Sequence, residues 1–349
     1  MNTQLLEQLT TTAGVAGREH RIRQFILDQS ANIFDETHVD NLGNLHGIIK
    51  PKSSSSTPPQ KIMIAAHMDQ IGFFVRFIDS KGLIYLQPVG GFDPRNLFAR
   101  TVTICPDVND PTKDVIGVMN PAGKPIHIAD EADKKKIPDV SEFIVDTGLT
   151  PEDVNKQIKI GDMVVLNAPL LEIGDLITAQ CLDNRVSAYI AIQALSQIKN
   201  NACEIHMVFT VQEEVGLRGA GPATTIIKPD IGICLDTTIC CDLPGVPEKD
   251  RASVLGQGIG LNVMDGAAIV DHELMEHFAS LAEKHSIKAQ RTMLYRGGTD
   301  AGTMQRAHQG FRIMTLLTPV KHIHTVTETI HRDDVESAIQ LLTVYLESA

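Results

Sequence analysis

The order of apolar runs along this chain constrains its fold more than any other feature of the sequence. After residue 170, segments with helical periodicity alternate with apolar runs of strand length. They are predicted helices at 186–198, 219–227 and 274–285 and predicted strands at 205–211 and 231–235. Such alternation predicts a mostly parallel sheet sandwiched by helices, with functional groups at the carboxyl ends of its strands.

The first 70 residues continue this pattern. Residues 3–30 have apolar positions at helical spacing, broken by the GVAG segment at 14–17, which predicts two helices. Apolar runs at 44–49 and 62–66 predict two strands. The Ser/Pro-rich stretch at 53–59 between them predicts a surface loop in a hairpin-like connection.

Residues 71–169 interrupt the alternation with short β-rich runs that are separated by Gly, Pro and Asp. The runs lie at 73–78, 83–89, 101–105, 115–118 and 163–166. Several short strands at this spacing predict a small all-β barrel. The sequence therefore predicts an α/β domain made from residues 1–70 and 170–349, with a small β-barrel domain inserted at 71–169. Inside the insert, Lys134-Lys135-Lys136 is more typical of a solvated loop than of a binding patch.

Composition and charge disfavour several classes of protein. At 349 residues and 43% hydrophobic, the chain can bury a large core. Its formal net charge of -12 predicts no nucleic-acid or membrane partner, because both need a basic face. No apolar run reaches the roughly 18 residues of a membrane span, and the N-terminus lacks the layout of a signal peptide, so a cytoplasmic location is predicted. The six cysteines lack CxxC spacing, which favours reduced thiols over a metal pair at Cys240-Cys241.

Two adjacent carboxylates, Glu213 and Glu214, follow the predicted strand at 205–211. Neighbouring side chains of an extended chain point to opposite sides, so the two can perform different functions. In metal-dependent hydrolysis one carboxylate holds the ion, and another accepts the proton of the water. By itself the pair is more typical of two solvated loop charges.

Four other polar groups follow apolar runs in the same way. They are His67 with Asp69, then Asp183, Asp236 and His324. Alternation places His67 and Asp69 on one side of the chain, where a carboxylate can orient a metal-binding imidazole. Each group singly is typical of a hydrogen-bonded cap or loop residue. Together, two histidines and several carboxylates without a cysteine suit a divalent cation such as zinc, cobalt or manganese.

At this point the chain resembles the dinuclear metalloaminopeptidases of the tetrahedral-aminopeptidase type, a family that includes glutamyl and deblocking aminopeptidases. The resemblance lies in the successive motifs His67-Met68-Asp69, Asp183-Asn184-Arg185, Gln212-Glu213-Glu214-Val215-Gly216, Leu235-Asp236 and Ile323-His324-Thr325. It covers essentially the whole chain, because 40–44, the turn at 161–162 and the loop at 297–301 are similar as well. Val326 stands where the family frequently has proline, a departure that removes no ligand.

The resemblance implies a fold, an assembly and a reaction. The fold would be an aminopeptidase/phosphorylase-like α/β domain with an inserted β-barrel that mediates dimerisation, and assemblies would range from a dimer to a dodecamer. Each subunit would bind two divalent ions, zinc or cobalt with manganese as an alternative. The reaction would be hydrolysis of N-terminal residues from short peptides.

The resemblance also implies a role for each matching residue. Asp183 would bridge the two ions, His67 and Asp236 would complete one site, and Glu214 and His324 would complete the other. Glu213 would be the general base and Asp69 would hold the His67 ring. The peptide bond after Asp183 would be cis.

Several alternatives remain open at this point. A related dinuclear deacylase or carboxypeptidase would use the same ligands on another substrate, and a non-catalytic scaffold would use the β insert for assembly. The glycines at 256–260 lack GxGxxG spacing and a P-loop lysine, which favours a flexible strand edge over a nucleotide site. Asp300, before a predicted helix at 301–306, either faces the substrate cleft or lies in a capped turn. Glu328 is predicted to be structural, and His322 to point away from the site if its segment is extended.

Overall fold

The structure, a computed structural model, describes residues 1–52 and 58–349, so residues 53–57 of the predicted loop lie outside it. The helices within the described residues are α1 (Thr3–Thr11), α2 (His20–Gln29), α3 (Glu131–Lys135), α4 (Pro151–Gln157), α5 (Leu182–Gln197), α6 (Ala220–Ile227), α7 (His272–Lys284), α8 (Asp300–Arg306) and α9 (Arg332–Ser348). In this part of the chain no helix has both the length and the apolar character needed to cross a membrane.

The strands of the described residues fall into two sheets and a barrel. In chain order they are β1 (Glu36–Val39), β2 (Leu45–Ile49), β3 (Lys61–His67), β4 (Gly72–Ile78), β5 (Ile84–Val89), β6 (Arg100–Cys105), β7 (Val115–Pro121), β8 (Phe143–Asp146), β9 (Met163–Leu166), β10 (Leu171–Ile173), β11 (Leu176–Ala179), β12 (Glu204–Thr210), β13 (Ile231–Ile239), β14 (Ile259–Met264), β15 (Ala289–Met293), β16 (Arg312–Val320) and β17 (Glu328–His331).

The larger sheet has the strand order β1-β2-β12-β3-β13-β16-β14-β15 within the described residues. Its four central strands, β12, β3, β13 and β16, are parallel, whereas β2 and β14 run antiparallel to their central neighbours. Nearly every residue of β3 and β16 is buried, as expected for strands that are covered on both faces. Helices α5, α7 and α9 pack over one face, and α6 and α8 over the other. The predicted mostly parallel sheet, sandwiched by helices, is confirmed.

A closed antiparallel barrel is inserted after β3, with the strand order β4-β5-β8-β7-β6-β9. Its core contains Phe73, Leu86, Val102 and Phe143, which are all buried. The predicted small β-barrel is therefore confirmed, and all five predicted runs are strands. The sixth strand, β8, was not among them. The boundaries at 71 and 169 and the role of the barrel in dimerisation stay predictions.

The predicted hairpin-like connection between β2 and β3 is wrong. Strand β12 lies between them, antiparallel to β2 and parallel to β3. The mostly buried strand β12 has the apolar strands β2 and β3 as its partners on either side. Its pairing with them, across about 150 residues of sequence, replaces a direct pairing of β2 with β3. The two predicted N-terminal helices are present as α1 and α2.

Two smaller predictions also need correction. The Lys134–Lys136 segment is solvated, but Lys134 and Lys135 belong to the short exposed helix α3, where Lys134 pairs with Glu131. The glycines at 256–260 do not form a flexible strand edge, because β14 begins at Ile259 between β15 and β16. Instead, the N–H groups of Gly256 and Gly258 donate to the buried carboxylate of Asp334.

A three-stranded antiparallel sheet, β10-β11-β17, lies beside the main sheet. Its register places Ala179, the last residue of β11, opposite Glu328, the first residue of β17. Helix α5 follows β11 after two residues, and a turn precedes β17. This small sheet therefore brings the start of α5 next to that turn.

Candidate metal centre

Strand register in the main sheet brings three of the predicted residues together. His67 is the last residue of β3 and lies opposite Thr210, the last residue of β12, so Glu213 follows just beyond it. On the other side, the register of β3 with β13 pairs Ala65 with Cys234. Two residues further on, His67 and Asp236 are level with each other. Asp236 lies inside β13, which extends past the predicted strand at 231–235.

Asp183 and His324 come from outside the parallel strands. Asp183 lies at the start of α5, where its own φ and ψ angles are not helical, and it follows β11, a strand of the small sheet. His324 lies in the turn between β16 and β17, four residues after Val320. This segment is not extended, since both His322 and His324 have positive φ angles. The Asp183–Asn184 peptide bond is cis, as the family resemblance implies.

The predicted ligands form two groups that share Asp183. One group is His67, Asp183 and Asp236, and the other is Asp183, Glu214 and His324. Within each group the potential ligand atoms lie within 4.8 Å of one another. Asp183 Oδ1 is 3.3 Å from His67 Nε2, and Asp183 Oδ2 is 3.4 Å from His324 Nε2. One carboxylate therefore presents an oxygen to each group.

Both histidines direct the same ring nitrogen into the centre. The Nδ1 atom of His67 is 3.1 Å from the backbone oxygen of Asp69, and that of His324 is 2.9 Å from the backbone oxygen of Gly91. When each Nδ1–H donates to its carbonyl, Nε2 keeps a free lone pair that faces Asp183. The sequence contained no signal for Gly91, which belongs to the loop after β5, because that contact depends on how the barrel packs against the sheet.

Asp69 holds the two adjacent glutamates through their backbone. Its carboxylate is fully buried and accepts hydrogen bonds from Glu213 N–H at 3.0 Å and from Glu214 N–H at 3.1 Å. Its Oδ1 atom is 3.6 Å from His67 Nδ1, farther than its own backbone oxygen. Glu213 Oε2 then lies 3.9 Å from His67 Nε2, and Glu214 Oε2 lies 3.5 Å from His324 Nε2.

Electrostatics in the centre reflect crowded, buried carboxylates. Burial raises the pKa of Glu213 and that of Asp236 well above their ordinary values, and raises the pKa of Glu214 to about 7. For His67, burial lowers the pKa, but neighbouring carboxylates outweigh it and hold that pKa well above its usual range. For Asp183, burial is outweighed by the two histidines, which lower its pKa.

The residues present fit a divalent cation. Two buried carboxylate oxygens, Asp183 Oδ1 and Glu214 Oε1, make no hydrogen bond in the part of the chain that the structure describes. Buried polar atoms normally have a partner, so such atoms on adjoining groups are suited to ligate a cation. The donors are imidazole nitrogens and carboxylate oxygens, which suit zinc, cobalt or manganese. No cysteine belongs to either group among the described residues, and all six cysteines are free thiols.

The centre lines a cavity of about 500 Å³. Its other walls are apolar and polar residues of four loops and two strands, including Leu217, Ile239, Leu294, Arg296 and Leu317. Asp300 does not line this cavity: it is buried, and its carboxylate accepts a hydrogen bond from Thr210 Oγ1 at 2.5 Å. Asp300 therefore does not face the substrate cleft, and it begins α8, which has no side-chain cap at this end.

Sequence reasoning missed two buried glutamates near the centre. Glu19 accepts hydrogen bonds from the N–H groups of Gly17 and Gln212, and so holds the segment before Glu213. Glu328, which was predicted to be structural, accepts a hydrogen bond from the backbone N–H of Asp183. Both carboxylates are nearly inaccessible to solvent, but neither lies in an apolar run of the sequence, so no sequence signal pointed to them.

The chain is similar to known aminopeptidases over nearly its whole length. The profile of the M42 glutamyl aminopeptidase family matches residues 43–341. The lysyl aminopeptidase of Pyrococcus furiosus is 30% identical over 99% of this chain and 96% of that protein. An aminopeptidase structure from Desulfurococcus kamchatkensis superposes with a TM-score of 0.92 at 31% identity, covering 99% of this chain and 94% of that one. The TET1 peptidase of Pyrococcus horikoshii, which can assemble into a tetrahedron or a large octahedral shell, gives a TM-score of 0.86 at 26% identity over 99% of both chains.

Proposed function

The chain belongs to the M42 glutamyl aminopeptidase family, and we propose a role for each residue of its metal centre in metal-dependent aminopeptidase activity. Two divalent cations, zinc or cobalt with manganese as an alternative, bind at the two groups that share Asp183. His67 and Asp236 complete one site, and Glu214 and His324 complete the other. The main support is the position of Asp183, whose two carboxylate oxygens face different histidines.

When bound, such cations polarise the peptide carbonyl and lower the pKa of a bound water from near 16 toward neutrality. Glu213 is the general base: it accepts a proton from the attacking water and donates a proton to the departing amine. Its position supports this role, because it lines the cavity beside His67 and burial raises its pKa. Asp69 acts through other residues, since its carboxylate fixes the backbone of Glu213.

The charge of the cavity supports a free N-terminus as the recognised end of the peptide. Besides the proposed ligands, Glu213 and Asp265 contribute carboxylates to its walls, and Arg296 is the one Lys or Arg among its described lining residues. With the ligand carboxylates offset by the two cations, Glu213 and Asp265 remain as acceptors with which an α-ammonium group can pair, beside the single cation of Arg296. This favours an aminopeptidase over a carboxypeptidase with the same ligands. A volume of about 500 Å³ suits the end of a short peptide.

A metal-reconstitution assay tests the proposal. The protein is stripped with a chelator, then titrated with zinc, cobalt or manganese while the hydrolysis of glutamyl, lysyl and leucyl p-nitroanilides is followed. We expect turnover to return as two equivalents of metal bind, and only with unblocked substrates. Matched N-acetylated p-nitroanilides are the control, and their cleavage at similar rates would identify a deacylase-type or endo-acting hydrolase instead. Turnover that ignores metal would contradict the proposed centre.

We further propose that residues 71–169 form a separate inserted domain through which subunits associate into dimers or larger assemblies. The assembly described for the relative from Pyrococcus horikoshii supports self-association. Support for the surface comes from the barrel itself, whose strand β7 exposes Ile116 and Val118 on one side. Exposed apolar side chains that are adjacent on one face are typical of protein contacts.

A further inference from the structure

Glu328 connects two proposed ligands that are far apart in the sequence. Its side chain is 2% exposed. Glu328 Oε2 accepts a hydrogen bond from Asp183 N–H at 2.8 Å, and Glu328 Oε1 accepts one from His324 N–H at 2.7 Å. The carboxylate therefore contacts the backbone of both residues at once, and neither of these contacts uses a ligand atom.

The two ligand groups differ in how firmly the fold holds them. His67 is paired with β12 at the end of β3, and Asp236 is paired with β16 inside β13, so ladder hydrogen bonds hold the backbone of both. His324 lies in a turn with a positive φ angle of 61° and belongs to no strand. A turn residue of this kind is positioned by the contacts that it makes, and the Glu328 carboxylate supplies the contact to its N–H group.

We propose that Glu328 is a positioning residue that sets the affinity of the Asp183–Glu214–His324 group for its cation. It does so by holding Asp183 and His324 at a fixed separation, and the inference rests on the metal ligation proposed above. The His67–Asp183–Asp236 group depends on it less, because only one of its three members contacts Glu328. Residues that orient metal ligands typically change metal affinity by about 10- to 100-fold when they are replaced.

Two substitutions separate geometry from charge. Glu328→Gln keeps the length of the side chain, but an amide offers one acceptor oxygen, so one of the two N–H groups loses its partner. Glu328→Asp keeps the negative charge but is one methylene shorter, so it cannot reach both N–H groups. A positioning role predicts that both variants are impaired, whereas a purely electrostatic role predicts that only Glu328→Gln is impaired.

The chain offers a matched control in Asp334. This carboxylate is also fully buried and also accepts two backbone N–H hydrogen bonds, from Gly256 and Gly258, but it contacts no proposed ligand. Asp334→Asn removes one acceptor in the same way as Glu328→Gln. It therefore reports how much metal affinity is lost through general destabilisation alone.

The experiment is a titration of each chelator-stripped protein with Co²⁺, followed by calorimetry and by the visible absorption of the bound ion. For the unsubstituted protein we expect two ions. In Glu328→Gln and Glu328→Asp we expect one ion with nearly unchanged affinity and a second that is about 10- to 100-fold weaker. In Asp334→Asn both affinities should remain within about threefold of the original.

Three results would overturn the proposal. They are unchanged affinities in both Glu328 variants, an unchanged Glu328→Asp protein beside an impaired Glu328→Gln protein, and an equal loss in Asp334→Asn. Failure of the proposed function itself would be visible separately, because the unsubstituted protein would then not bind two ions. If Glu328→Gln does not fold, Glu328→Asp alone decides between geometry and charge.

Discussion

Glu213 and Glu214 are neighbours in the chain, but their carboxylates lie in different surroundings. Glu213 Oε2 is nearest to the ring of His67, and Glu214 Oε2 is nearest to the ring of His324. Because Asp69 accepts a hydrogen bond from the backbone of each, the two side chains are directed apart from one fixed point. Glu213 can therefore act as a proton acceptor and Glu214 as a metal ligand, although the two residues are adjacent in the chain.

Replacing Glu213 by Gln tests this division at a single residue. Since Gln has the same shape but cannot accept a proton, we expect kcat to fall by about 10²- to 10⁴-fold with metal content unchanged. The measurement is p-nitroanilide turnover together with metal analysis of the purified protein. Glu214→Gln is the paired control, and it should lose metal as well as activity. Near-normal turnover by metal-loaded Glu213→Gln would show that another group is the base.

The sequence predicted the members of the centre better than their contacts. Asp69 and His67 are two positions apart, so strand alternation alone suggests that they meet. The stronger contact of the Asp69 carboxylate, to Glu213 N–H, joins residues 144 positions apart. That contact follows from the pairing of β3 with β12, which single-chain periodicity does not contain. For the same reason Glu328 was interpreted as structural and Gly91 was not noticed.

Ionisation of Glu19 is expected to lower the stability of the folded protein as the pH rises. Burial, reinforced by the charge of Asp69, raises the pKa of Glu19 from 4.5 to about 7. Since the pKa of the folded state lies above that of the unfolded state, the stabilising contribution is complete below about pH 4.5. It is lost as the pH rises through about 7.

Glu19→Gln should remove that pH dependence. Both N–H donors, from Gly17 and Gln212, bind the same oxygen of Glu19, so an amide can keep both hydrogen bonds. We expect the variant to match the original protein near pH 4.5 and to be more stable by up to about 3 kcal/mol at pH 8. Urea unfolding at four values of pH between 5 and 8 measures the difference. Two parallel stability profiles would contradict the assignment.

Among the elements, the local hydrophobic pattern identified most strands and helices, but it did not show which strands pair with each other. Apolar runs of strand length are buried in the main sheet, as the periodicity indicated. The predicted hairpin between β2 and β3 does not form, because β12, which comes much later in the chain, pairs with both strands. The local pattern also identified Asp183 after an apolar run, but it did not show that this run ends in the small sheet rather than in the main one.

The turn between β16 and β17 shows how one element depends on another. Val326 is buried in the core of the barrel, although it belongs to the turn that carries His324. The ring of the same histidine contacts Gly91 of the barrel. The barrel therefore holds this turn at two points. Sequence comparison marked Val326 as a departure from the usual proline, and the structure gives its side chain a packing role.

Val326→Ala should weaken both the barrel core and the metal centre. Removing two buried methyl groups is expected to lower the free energy of unfolding by about 2 kcal/mol. Because the turn is then held less firmly, the metal concentration that gives half-maximal activity should rise. Val154→Ala is the matched control: Val154 is buried in the same core but lies in α4, away from the turn. An equal change of metal requirement in both variants would refute the coupling.

In the whole molecule, the barrel enters the chain between two proposed ligands. It follows His67 at the end of β3, and the chain returns to Asp183 only after β9, β10 and β11. The barrel also contributes the Gly91 contact to His324, so it takes part in building the centre. The barrel therefore supplies part of the centre in addition to any surface that it offers to other subunits.

The outer face of the barrel is where we expect subunits to meet. On β7 the side chains of Ile116 and Val118 are 59% and 50% exposed, and strand alternation directs both to the same side. Burial of such side chains between subunits is favourable by roughly 1.5 to 3 kcal/mol for each one fully buried. An aspartate at either position would instead place a charge in a contact that excludes water.

The double substitution Ile116→Asp and Val118→Asp should therefore dissociate the assembly into subunits of 38.1 kDa, as measured by light scattering after gel filtration. The matched control is Ile226→Asp on α6, which is 69% exposed but lies outside the barrel, and it should keep the original mass. Circular dichroism must show that both proteins are folded. If the double variant retains the mass of the original protein, or if the control dissociates equally, subunits associate through another surface. If the original protein already has the mass of one subunit, the proposed self-association itself is wrong.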